Sequence, residues 1–239
     1  MENESTAELL PLCLVALVFR LRMTYMEKLI ILLCAIIAAF LSVLGIVYLS
    51  RMIARINREC TNLALIGLIL ISLGWMAEVL WEILVVFTDY NFQFLDNSFY
   101  IFLAPGMICL GWAWWNSFRA TGNVPIWVVP VIMIIVIEGA ALIRALSKGG
   151  KGWLWVVLSA TYVVFLATNF QLMWESFRRG FKRLSLFFVI TGALIILHYG
   201  LIRWWIPSAI SPWMIQLSGV LMWACFAYAA WRLSKYIAP

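Results

Sequence analysis

Seven times after residue 27 the chain runs through a long, mostly apolar block before a short polar break. That recurrence constrains the fold more than any motif does. The block NLALIGLILISLGWMAEVLWEILVVFT, residues 62–88, sets the pattern. From Leu63 to Phe87 it is about 25 residues, or roughly 37 Å as a helix. That is long enough to cross a hydrocarbon core of about 30 Å with some tilt. The other blocks fall at about 28–50, 98–118, 125–146, 153–177, 184–206 and 213–233. With 12% charged residues, the chain carries about half the charge of a typical soluble domain. The expected fold is therefore all-α: a polytopic integral membrane bundle of seven transmembrane helices over residues 28–239.

A short N-terminal apolar segment, residues 1–27, precedes the bundle. Glu2, Glu4 and Glu8 lead into the run Leu9 to Phe19, followed by Arg20 and Arg22. An acidic start does not match the basic n-region of a secretory signal, and the run is short for a span. It reads as interfacial or partly inserted, or as an extension ahead of a start at Met23 or Met26. Within the bundle, Ala35, Ala39 and Ser42 offer a small-residue stripe for close helix approach. Pro105-Gly106 predicts a kink in the third span, and Pro125 is placed to open the fourth.

The net charge of +6 would suggest a nucleic-acid partner until it is mapped. Arg51, Arg55, Arg58, Arg119, Arg178, Arg179, Lys182, Arg183, Arg232 and Lys235 occupy connections on one side of the bundle. They account for ten of the seventeen basic residues. The positive-inside rule then places the C-terminus in the cytoplasm of a plasma or inner membrane. Only Arg144, Lys148, Lys151 and Arg203 lie in the opposite connections or beside them. The expected surroundings are a lipid bilayer and partner membrane subunits or further copies of the chain, not nucleic acid.

Against this apolar background the polar residues inside spans stand out. Glu78 and Glu82 are one turn apart on a shared helix face, and Trp75 joins that face. A carboxylate facing lipid costs a few kcal/mol, so this face must meet protein, water or a cation. With the tail inside, Glu78, Glu82, Glu138, His198 and Gln216 all fall in the outer half of the membrane, with Arg203 nearer the outer surface. Polar groups converging in an apolar setting are how ligand sites are built. The competing reading is a packing network of buried pairs, such as Glu138 with Arg203 or Glu82 with Arg144.

Catalytic signatures are thin. The chain has one histidine, His198, so a haem held by two imidazoles is excluded. No HExxH, GxSxG, P-loop or dinucleotide fingerprint occurs, and no Glu-x-x-His pair suits a diiron bundle. No residue is assigned a catalytic or metal-binding role. The five cysteines show no CxxC and no zinc spacing. The topology is similar to that of microbial rhodopsins and other seven-helix receptors. A retinal Schiff base, however, needs a lysine midway in the last helix, where LSGVLMWACFAYAAW has none. The expectation is a non-enzymatic sensor-type module or accessory subunit that binds a small or lipidic ligand. The alternative is a small-molecule, cation or proton transporter or channel. A sealed inner half favours binding, and a polar track past Asn169 favours transport.

Overall fold

The computed structural model describes residues 5–88, 92–119, 125–148, 152–204 and 212–237, without the side chains of 5–24, 148, 203–204 and 212. The elements are α1 (Ser5–Ile56), a short 3-10 turn (Arg58–Cys60), α2 (Thr61–Thr88), α3 (Gln93–Ser117), α4 (Val128–Lys148), α5 (Gly152–Arg178), α6 (Lys182–Trp204) and α7 (Pro212–Tyr236). All are helical, and seven of them are long and apolar enough to cross a membrane. That is consistent with a multi-pass membrane protein. Helices answer this composition because each satisfies its backbone hydrogen bonds within itself.

Helix ends differ from the sequence expectation where polarity was read as loop. α1 continues through Arg51 and Arg55 and stops only at Asn57. There the backbone turns extended (φ −144°, ψ 111°), and the Asn57 side chain accepts a hydrogen bond from the Glu59 amide at 3.0 Å. α3 starts at Gln93, so QFLDN forms its opening turns. Asp96 belongs in a first turn because a negative charge there opposes the helix dipole. Pro125 lies before α4, and Pro130 occupies its first turn, where no N–H is required. Pro105 sits inside a continuous α3. Much of the expected N-terminal segment lies outside the described side chains, and the span portion of α1 is Tyr25–Ile56.

Successive helices alternate in direction and close a ring. α1 packs on α2, α2 on α3, α3 on α5, α5 on α6, α6 on α7, and α7 back on α1. α4 is left outside and leans on α5 and α3. The closest seam joins α2 to α3 through glycines. A Cβ on Gly67 would lie 2.8 Å from the Gly106 carbonyl oxygen, and one on Gly106 would lie 2.6 Å from Ile71 Cγ1. The closing seam runs in parallel. Gly45 of α1 lies against Phe226 of α7, and Arg55 donates to the Ser234 carbonyl at 3.0 Å.

The interior is apolar and aromatic, with Trp114, Phe188 and Phe226 almost fully enclosed. The outside is equally apolar: Leu146 is 80% exposed, Ile143 68% and Phe40 66%. Chains in water rarely expose contiguous surfaces of this kind. Arg51, Arg58, Arg119, Arg178, Lys182 and Lys235 gather at one end of the bundle, termed here the basic end. The C-terminal ends of α2, α4 and α6 lie at the opposite end.

Candidate functional site

Toward that opposite end the ring encloses a cavity of about 190 Å³, lined from α2, α3, α5, α6 and α7. Each helix contributes through its own periodicity. Trp75 and Glu78 of α2, three residues apart, share the inward face. On α3, Phe99, Tyr100, Leu103 and Met107 follow the same spacing, and α5 adds Leu158, Thr161, Tyr162 and Phe165. α6 brings His198 and Ile202, and α7 brings Ile215, Gln216, Met222 and Trp223.

Trp75 is the fixed point of the wall. Its indole N–H donates to Ser42 Oγ of α1 at 2.8 Å, and both residues are buried. Phe99 meets it edge-on at 4.9 Å, and Trp223 does so at 6.2 Å. Trp223 stacks on Phe165 at 4.7 Å, and Phe226 packs edge-on against both. This aromatic cluster closes the cavity on the side of the basic end. Beyond it, Asn169 donates to the Phe188 carbonyl at 2.7 Å, while its Oδ1 is buried without a partner.

The polar groups divide into satisfied and unsatisfied. Ser218 Oγ gives its single proton to the Ile215 carbonyl at 2.7 Å and lies 2.7 Å from His198 Nδ1. With the Ser218 proton on the Ile215 carbonyl, the imidazole donates from Nδ1 and Nε2 carries the lone pair. Gly219 leaves room for the ring, since a Cβ there would meet His198 Cε1 at 3.2 Å. Tyr162 lies 6.1 Å from the His198 ring and 5.1 Å from that of Tyr199, whose hydroxyl is 2.9 Å from Ser159 Oγ. Glu78 is the exception: its Oε2 is shut off from solvent and has no hydrogen-bond partner. Such a group costs stability unless something meets it.

Of the residues singled out from the sequence, Trp75, Glu78, His198 and Gln216 line this one cavity. Glu82 is buried one turn further along α2 but does not line it. It lies within electrostatic reach of Asp96, as Glu78 does. Glu138 sits on α4, outside the ring; its Oε1 is buried and unpartnered, and it too stays out of the cavity. The Arg203 side chain lies outside the described residues. The envisaged pair of Glu82 with Arg144 does not form, because Arg144 is exposed on α4 beside Gly152. Among the described residues no three His, Cys, Asp or Glu side chains are disposed to hold a metal ion.

Sequence reasoning missed Tyr100, Tyr162, Phe165 and Trp223. It weighed ionisable groups together with Trp75 and did not single out these four aromatics. The one available signal was the adjacent pair Thr161-Tyr162, a polar interruption in the middle of the fifth block.

No known protein family, curated protein or solved structure matches this chain. The functional reading therefore rests on the site itself.

Proposed function

We propose that this is a non-enzymatic membrane protein whose cavity binds a small organic cation or amine, as a sensor-type module or an accessory subunit. The observation that carries the reading is Glu78, which lines a cavity walled by Trp75, Tyr100, Tyr162 and Trp223 and whose Oε2 is buried without a partner. A carboxyl group supplies the counter-charge or hydrogen-bond acceptor, and aromatic faces attract cations by about 0.5–2 kcal/mol each. His198 Nε2 and Gln216 supply further polar contacts. A volume of about 190 Å³ is below the roughly 300–1,000 Å³ of drug-sized sites. It favours a compact ligand over a whole lipid. The C-terminus is placed in the cytoplasm on the charge bias, so the cavity lies in the outer half of the membrane.

The test uses choline and its uncharged carbon isostere as probes of the purified protein in detergent. The quenching of Trp75 and Trp223 fluorescence is the readout. Saturable choline binding, weakened about tenfold or more by Glu78→Gln and unaffected by Glu175→Gln, is the expected result. Equal response to the isostere, or no difference between the two variants, would overturn the proposal.

A second reading, passage of a cation or proton, draws on Asn169, whose buried Oδ1 lacks a partner beyond the aromatic cluster. Phe165 (3% exposed), Trp223 (5%) and Phe226 (1%) stand between it and the cavity. That barrier favours binding without passage. Flux in proteoliposomes that rises when Phe165 is cut to Ala would revive transport.

A further inference from the structure

A groove of about 480 Å³ lies at the basic end where the start of α6 meets the end of α7. Three cations line it: Lys182, Arg183 and Arg232. No carboxylate does. The nearest acid along the chain, Glu175, is committed to Arg179 at 2.7 Å and Arg178 at 4.0 Å. Among the described residues none of the three groove cations has an ion pair. Arg232 is held in place without being neutralised. Its Nη2 donates to Tyr236 Oη at 3.3 Å, its guanidinium lies 5.8 Å from the Tyr236 ring, and its Nε is enclosed with no partner. Aromatic pairs floor the groove: Phe181 stacks on Tyr236 at 4.5 Å, and Phe187 meets Tyr228 at 4.8 Å.

We propose that this groove binds the phosphate headgroup of an anionic phospholipid. Charge complementarity selects an anion, and position selects the lipid. The groove sits at the ends of two membrane-length helices, Lys182–Ile202 and Trp213–Tyr236. That is the level of headgroups, where basic pockets between spans recruit acidic lipids. Below it the surface turns apolar along the same helix faces, with Leu186, Ile190 and Leu221 exposed. This seam accepts acyl chains, which a free phosphate has no use for. The bases are poised for recognition and not only for topology, since Lys182 and Arg183 converge with Arg232 from a different helix.

The experiment is native mass spectrometry of the full chain released from mild detergent, with phosphatidylglycerol, phosphatidylcholine or inorganic phosphate added. Phosphatidylglycerol retained in preference to phosphatidylcholine is expected. The double variant Lys182→Gln, Arg183→Gln, both at exposed positions, should weaken that retention by about thirtyfold. Arg178→Gln with Arg179→Gln removes equal charge at the end of α5, outside the groove, and should leave retention unchanged. Circular dichroism checks that both variants remain helical, and Arg232→Gln is the substitute if the first is not. Equal retention of the two lipids, or equal loss in the two double variants, would sink the proposal. Inorganic phosphate competing as well as phosphatidylglycerol would also overturn it, in favour of a soluble anion.

Discussion

At the scale of single residues, Trp75 and Glu78 do opposite things on one helix face. Trp75 is fully committed, its N–H to Ser42 and its ring to Phe99 and Trp223. Trp75→Phe keeps a ring but strands the buried Ser42 hydroxyl. It should lower stability by about 1 kcal/mol, read as a lower midpoint in thermal unfolding in detergent. Glu78 Oε2 has no partner, so Glu78→Gln should leave that midpoint unchanged or raised while it weakens choline binding. A large stability loss in Glu78→Gln would mean the carboxyl has a structural partner, and the binding proposal would lose its support. Ser218→Ala tests the orientation of His198. It removes the hydroxyl 2.7 Å from Nδ1 and should weaken choline binding several-fold without disturbing the helical content measured by circular dichroism.

At the scale of elements, the α2–α3 seam is where the ring is least forgiving. Gly67→Ala would put a methyl 2.8 Å from the Gly106 oxygen and 3.0 Å from the Leu110 nitrogen, both backbone atoms that cannot swing aside. The helices must part, at a cost of about 1–3 kcal/mol. Because α2 and α3 both line the cavity, ligand affinity should fall with stability. Gly139 on α4 is the control: a Cβ there meets nothing within 4 Å. Gly139→Ala should be neutral or stabilising by up to about 1 kcal/mol through helix propensity alone. Equal unfolding midpoints for the two variants would show that the seam is looser than its glycines indicate.

At the scale of the whole molecule, the ring explains why one acid reaches the cavity and another does not. α4 lies outside, so Glu138 is separated from Glu78 by the helices α4 leans on. Glu138→Gln should therefore leave choline affinity within about twofold of the parent. A tenfold change would place α4 in the site. The charge bias sets a further expectation for orientation. A reporter fused after Ile237 should be active only as a cytoplasmic reporter, and one active only outside would invert every statement about depth.

The sequence on its own determined the class of fold. Blocks of about twenty-five apolar residues can satisfy their backbone only as helices, and their number and polar breaks follow from composition. It also marked Glu78 and His198, because ionisable groups are costly in such blocks wherever the helices pack. Which groups meet was decided by tertiary structure. Periodicity says that two residues share a helix face, but not which neighbour that face meets. Glu78 and Glu138 look alike in the sequence. Only the closing of α3 onto α5, which expels α4 from the ring, separates the acid that faces a cavity from the one that does not. Tyr100 and Trp223 became site residues for the same reason: their helices turned them inward, and nothing in their own chemistry announced it.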